Sequence, residues 1–244
     1  VRLSRVFCDL PLAGGHEIIL PGTASSHVAR VLRLRAGATV VVFDGSGREY
    51  EGEIVAIGSA RVRVRLGAAR HVENESPLRV SLVQAVSRGE RMDFTLQKAT
   101  ELGVAAIVPV ISARTVVRLD ERQAASRLRH WQAIVVSACE QCGRSVIPPV
   151  RAPLALERYL AEPANAALRL VPSPGAAESL GTLAPQPSAV ELLIGPEGGF
   201  EEGELAAAVR SGFKPVRLGP RILRTETAGL AAIAALQARW GDLG

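Results

Sequence analysis

Residues 191–200 read Glu191-Leu-Leu-Ile-Gly195-Pro196-Glu197-Gly198-Gly199-Phe200. An apolar run ends in a loop with three glycines, and 202–211 then has a helical pattern. A strand covered on both faces reads as such a continuous apolar run, and ligands of open α/β sheets bind where the strands end. About twenty residues on, Leu218-Gly219-Pro220-Arg221-Ile222-Leu223-Arg224-Thr225-Glu226-Thr227-Ala228 repeats the strand-end Gly-Pro logic ahead of a helix over 225–240. Upstream, strands are expected at 78–86, 104–111, near Val146 and at 167–171, and helices at 90–102, 121–141 and 154–161. A further strand is expected at 216–218, and 172–187, with four prolines and two glycines, as mostly loop. Strand–helix alternation over 78–244 predicts a parallel α/β sheet.

The first seventy residues follow another grammar. Strands are expected at 39–43, 50–57 and 61–66, with a turn at Asp44-Gly45-Ser46-Gly47 and one short helix at 25–34 capped by Ser25 or Ser26. Arg61, Arg63 and Arg65 alternate with Val62, Val64 and Leu66, so three guanidiniums share one strand face. Short, closely spaced strands suggest a small barrel or sandwich. The polar, proline-ended HVENESP (71–77) separates the two grammars. The expected organisation is a first domain at 1–72, a linker at 73–77 and a second domain at 78–244.

Composition bounds the function. The chain has 244 residues, 48% of them hydrophobic, and a formal charge of +5. These are globular proportions. The longest uncharged windows, such as 227–238, span 12 residues, short of the roughly 20 that a membrane helix needs. The opening VRLSRVFCDLPL lacks a signal-peptide core, and three cysteines make no disulfide framework, so a cytoplasmic location is expected. Of the 29 basic residues 27 are arginine, which permits nucleic-acid binding without demonstrating it.

The glycine loop is neither a dinucleotide fingerprint nor a P-loop, since no lysine or magnesium-binding Ser/Thr follows it. Glu197, Glu201, Glu202 and Glu204 crowd it. Four carboxylates would repel a pyrophosphate and suit a neutral or cationic ligand; equally, acids there complement a helix dipole. Cys139-Glu-Gln-Cys142 has only Cys8 for company, short of the four ligands of a zinc site, so no metal is expected. Arg2, Arg5, Arg30, Arg33, Arg35 and the arginine strand form either a phosphate-contacting face or a solvated one.

LLIGPEGG (192–199), LGPRILRTETA (218–228), ACEQCGR (138–144), SRGERMDFTLQKATELGV (87–104), VLRLRAG (31–37) and the opening Arg5-Val-Phe together resemble the RsmE family of 16S ribosomal RNA uracil-N3 methyltransferases. The resemblance runs in order along essentially the whole chain. It implies an N-terminal PUA-like small β-barrel that binds RNA, and a C-terminal parallel α/β domain with a deep trefoil knot, SPOUT-like. The implied cofactor is S-adenosylmethionine, held by Leu170, Pro172, Ile194, Gly195, Glu197, Gly198, Gly199, Leu218, Gly219, Ile222, Leu223, Thr225, Thr227 and Ala228. The implied partners are 16S rRNA within the 30S subunit and a second copy of the chain. A dimer interface is expected on the long helix that ends in Cys139 to Arg144 and on the C-terminal helix, where Leu230, Ile233, Leu236 and Trp240 recur at helical spacing and need burial, either in a dimer or wholly within the chain.

Methyl transfer to N3 requires loss of a proton and stabilisation of the uracil anion. Arg5 and Arg224 are the expected stabilisers, and Glu197 or Glu226 the proton acceptor. Arg2, Arg5, Arg30, Arg33, Arg61, Arg63 and Arg65 are the candidate RNA contacts. The other readings are a non-catalytic RNA-binding or assembly protein, and a knotted methyltransferase acting elsewhere on RNA.

Overall fold

A computed structural model of the chain describes residues 3–58, 61–164, 166–183 and 186–244. Two compact units emerge: Val1–Glu75 with Val136–Ile147, and Ser76–Val135 with Pro148–Gly244.

In the first unit, β1 (Arg5–Phe7), β2 (Glu17–Ile19), β3 (Thr39–Phe43), β4 (Arg48–Ile57) and β5 (Val62–His71) form one sheet in the order β1-β3-β4-β5-β2. Only β1 and β3 pair in parallel. The β3–β4 turn closes where Asp44 accepts the Ser46 N–H at 3.0 Å and Gly45 and Gly47 take φ of +86° and +88°. Along β5 the alternation is as expected: Val62, Val64 and Leu66 are buried with Val40, Val42 and Ile54, while Arg61, Arg63 and Arg65 are exposed.

The expected helix at 25–34 is earlier and shorter. α1 (Gly22–Ser26) passes into a π-helical turn, His27–Val31. Ser25 does not cap it: its hydroxyl donates to the Leu20 carbonyl at 2.9 Å and accepts the Val62 N–H at 3.1 Å. The helical path cannot pass Arg33, a non-glycine residue at φ +52°.

The second unit is built on β6 (Arg79–Ala85), β7 (Ala106–Ile111), β8 (Leu154–Ala155), β9 (Leu168–Pro172), β10 (Ala189–Ile194) and β11 (Lys214–Val216). Their order is β11-β9-β10-β6-β7-β8, and every pairing is parallel. Val83, Ala85, Val108, Val110, Val171 and Leu193 bury one face against α4 (Leu156–Leu160) and α5 (Glu202–Arg210). On that face Arg169 donates to Glu191 at 2.7 Å and stacks 4.2 Å from the Phe213 ring centre, while Tyr159 donates its hydroxyl to the same Glu191 oxygen at 2.8 Å. α6 (Thr225–Trp240) packs against β6, β10 and α2 (Glu90–Glu101), with Gly229 seated over Leu82, Gln84 and Ile194. Ile233 and Leu236 are fully buried inside this unit, so their spacing is satisfied within the chain.

α3 (Glu121–Cys142) starts in the second unit and ends in the first. Near its end Glu140 accepts the Phe7 N–H of β1 at 2.9 Å, and just past it the Gly143 carbonyl accepts from Asn74 at 2.6 Å. The strand expected near Val146 is a single bridge to Ser46. The strand expected at 216–218 lies two residues earlier, as β11. There Lys214, Pro215 and Val216 pair with β9 before the Gly-Pro turn begins.

Candidate functional site

Parallel strands put their carboxyl ends on one edge, and in this sheet β9 and β10 deliver Pro172 and Ile194 to it. The loops that follow, with the start of α6, line a cavity of about 560 Å³. That volume lies within the range of small-ligand sites.

The glycine loop shapes one wall. Gly199, at φ +70°, closes a turn by donating its N–H to Pro196 at 2.9 Å. A Cβ at Gly195 would stand 3.3 Å from the Phe200 ring, tighter than an ordinary contact, so a larger residue there would have to push the ring aside. Arg114 holds the loop from outside, donating to the Gly198 carbonyl at 3.0 Å.

The acidic crowd divides. Glu201 and Glu204 form a capping box at the start of α5, and Glu204 also accepts the Ala113 N–H at 2.7 Å. Of the four acids, Glu197 lines the cavity; its Oε1 accepts from Arg91 at 3.3 Å and from the Arg88 N–H at 3.4 Å.

The second wall comes from 222–228. Arg224, not Thr225, is the N-cap of α6. The Thr225 hydroxyl instead donates to the Gly195 carbonyl at 2.6 Å and accepts from Gln84 Nε2 at 3.0 Å. One side chain thus fastens the two Gly-Pro loops to each other and to β6. Ile222, 84% exposed, offers a large apolar side chain at this wall. Glu226 also lines the cavity, and its Oε2 is buried without a hydrogen-bond partner.

Of the sequence-derived cofactor residues, Pro172, Ile194, Gly195, Glu197, Gly198, Gly199, Ile222, Leu223, Thr225 and Ala228 line this cavity. Leu218, Gly219 and Thr227 line a neighbouring cavity of about 900 Å³, and Leu170 is fully buried within β9. Arg91, Phe200 and Leu205 are lining residues the sequence did not single out. Arg91 had a signal in SRGERMDF, whereas Phe200 and Leu205 carry none beyond following the glycines.

Arg224 lines the cavity and Arg5 does not. Arg5 belongs to the first unit, where its guanidinium is ion-paired with Glu49 and donates to Ser145 Oγ at 2.8 Å. Glu49 also pairs with Arg70. Burial pushes the Glu49 carboxyl up, but the hydrogen bonds from Arg70 and Arg5 outweigh it and hold the group below its ordinary value. Arg30, Arg33, Arg61, Arg63 and Arg65 are exposed on the first unit, Arg65 in an ion pair with Glu17 at 2.8 Å. Arg2 lies outside the described residues.

None of the three cysteines is in a disulfide. Burial lifts the Cys8 thiol to about 11, with Asp9 adding to it, and the hydrogen bond with Cys142 together with burial raises Cys139. Among the described residues no cluster of three His, Cys, Asp or Glu side chains could hold a metal, and no helix is long and apolar enough to cross a membrane.

The second unit is thus a parallel sheet with a glycine-walled cleft at its carboxyl edge, and the first is a small β-rich unit. The RNA methyltransferase domain family matches residues 74–237, and the RNA methyltransferase PUA domain family matches 20–67. The chain belongs to the ribosomal RNA small subunit methyltransferase E family. It is 34% identical to that enzyme of Buchnera aphidicola subsp. Schizaphis graminum, over 99% of this chain and 98% of the relative. To the Mycobacterium bovis enzyme it is 36% identical, over 93% and 89%. The solved ribosomal RNA small subunit methyltransferase E of Neisseria gonorrhoeae, bound to S-adenosyl methionine, superposes with a TM-score of 0.95 at 42% identity, covering both chains fully. A methyltransferase of Legionella pneumophila, solved with its cofactor SAM, gives a TM-score of 0.96 at 40% identity, again with full coverage of both.

Proposed function

We propose that the chain transfers a methyl group from S-adenosylmethionine to N3 of a specific uridine in 16S rRNA, within the 30S subunit and in the cytoplasm. The observation that carries this reading is the cavity walled by Gly195–Gly199 and 222–228. It has room for a nucleoside, an apolar wall in Ile194, Ile222 and Leu223, and two carboxylates, Glu197 and Glu226, balanced by Arg91 and Arg224. A charge-balanced lining suits a ligand that carries both signs, as S-adenosylmethionine does, and offers a pyrophosphate no excess of positive charge. Gly198 and Gly199 give a ligand close access to the loop backbone. The residues present therefore fit the methyl donor, which supplies an electrophilic methyl carbon.

The chain's own residues do the rest. The loops align the donor with the base, and alignment can lower the barrier by about 7–11 kcal/mol. Arg224 is placed to stabilise negative charge on a uracil oxygen, with Arg5 the other expected stabiliser and Glu197 or Glu226 the acceptor of the N3 proton. The arginines of the first unit, Arg30, Arg33, Arg61, Arg63 and Arg65, contact rRNA phosphates. In this reading residues 1–72 are a PUA-like barrel, 73–77 a linker and 78–244 a knotted SPOUT-like domain. The enzyme works as a homodimer.

The test is mass mapping of 16S rRNA nucleosides from a strain lacking this gene, before and after addition of the purified protein with S-adenosylmethionine. Loss and restoration of 3-methyluridine at one position are expected. An unchanged nucleoside map overturns the reading.

A further inference from the structure

We infer that Glu226, and not Glu197, takes the N3 proton of the target uracil; this rests on the proposed methyl transfer to a uridine. Both carboxylates line the cavity. Glu197 already accepts, at Oε1, from the Arg91 guanidinium and the Arg88 N–H. Glu226 is half-buried, and its Oε2 has no hydrogen-bond partner among the described residues. Its carboxylate therefore keeps acceptor capacity that no described group of the chain uses.

The position is also rigid. Glu226 follows Thr225, whose hydroxyl is fixed between the Gly195 carbonyl and Gln84. The first turn of α6 therefore cannot shift without opening the glycine loop. The other charged side chains lining the cavity are Arg91 of α2, Glu197 of the glycine loop and Arg224 at the N-cap of α6. With Arg91 engaged by Glu197, Arg224 is left to face developing charge on the base.

The step balances. The N3 proton passes to the Glu226 carboxylate, and the nitrogen pair bonds to the methyl carbon. The pair of the broken carbon–sulfur bond returns to sulfur, leaving a neutral thioether, and the proton leaves Glu226 for water.

The experiment uses the full chain, 30S subunits lacking the mark and saturating S-adenosylmethionine, with single-turnover rates measured from pH 6 to 9.5 for wild type, Glu226→Gln and Glu197→Gln. Calorimetric affinities for S-adenosylmethionine are measured on the same proteins. Removing a proton acceptor should slow Glu226→Gln about 10²-fold or more near pH 7. The deficit should shrink in alkaline buffer, where uracil ionises unaided, while cofactor affinity stays within about threefold. Retained affinity also shows that the variant is folded. Glu197→Gln should lose less than about tenfold.

If Glu226 instead pairs with the ammonium or sulfonium of the donor, Glu226→Gln will bind it about tenfold or more weakly, with a deficit independent of pH, and the assignment falls. Should Glu226→Gln lose its cofactor affinity outright, Glu226→Asp decides: recovery of affinity without recovery of rate supports the proton role, and recovery of neither overturns it. A wild-type protein that modifies no uridine N3 overturns the proposed function itself.

Discussion

Glu49 is a carboxylate 3% exposed, held between two guanidiniums and the Ser145 hydroxyl. Its value in the folded chain is lowered from an ordinary 4.5, because Arg70 and Arg5 together overcome the opposing effect of burial. A carboxylate lowered on folding adds stability that is fully present above its unfolded value and lost as pH falls through the folded one. Melting followed from pH 7 down to pH 3 should therefore show wild type losing stability below about 4.5, with Glu49→Gln flatter across that window and less stable at pH 7. A parallel loss in both proteins would show that Glu49 is not the titrating group. Arg5→Ala leaves Arg70 and Ser145 on Glu49, so it should cost about 1–3 kcal/mol at neutral pH and less at pH 3.5. The cysteines are governed by the same burial. With Cys8 and Cys139 both buried and raised, a thiol reagent at neutral pH should titrate at most one cysteine in the native protein, and all three in denaturant.

The loop over Gly195–Gly199 is stiff where it turns and open where a ligand would enter. A Cβ at Gly198 would lie 3.4 Å from the Arg114 side chain, an ordinary contact with a flexible neighbour, and Gly198 does not need positive φ. Gly198→Val should thus fold and melt like wild type, yet weaken S-adenosylmethionine binding by about tenfold or more, roughly 1.4 kcal/mol. An unchanged affinity would remove the loop from the cofactor site. Elements of this kind were legible in advance because their signal is local: an apolar run, a glycine group, an acidic helix start. β10, α5 and α6 lie within two residues of where periodicity placed them. β1 and β2 escaped, since three residues carry no period and both exist only through partners distant in sequence, Val41–Phe43 and Arg63–Arg65. The site behaved likewise. Gly195 and Arg224 could be read from motifs, whereas the roles of Thr225, Gln84 and Arg114 depend on which carbonyl each side chain meets after folding. Nor could spacing show that Glu201 and Glu204 are spent on helix capping, leaving Glu197 and Glu226 to the cavity.

At the scale of the whole molecule the chain divides into an arginine-faced β unit and a parallel α/β unit with the cleft, and the proposed function assigns phosphate contact to the first and chemistry to the second. Homodimerisation would not be driven by Ile233 and Leu236, which are already buried, so sedimentation tests it on other surfaces. The division itself is testable through salt. Each phosphate neutralised by an arginine releases counterions, so removing one contact should reduce the slope of log K against log salt by about 0.7–0.9. Arg61 and Arg63 have no recorded ion pair among the described residues, whereas Arg65 is shared with Glu17 at 2.8 Å and Glu53 at 3.9 Å. Arg61→Ala and Arg63→Ala should each flatten the salt dependence of rRNA binding, Arg65→Ala by less, and none should change turnover at saturating RNA. Arg224→Ala should do the reverse. An interaction made only in the transition state lowers kcat and kcat/KM together, and losing one such donor costs about 10²–10³ in rate. Binding isotherms at four salt concentrations beside single-turnover rates separate the two classes. A rate loss of that size in Arg63→Ala, or a flattened slope with normal turnover in Arg224→Ala, would place the RNA grip and the chemical site on the wrong units.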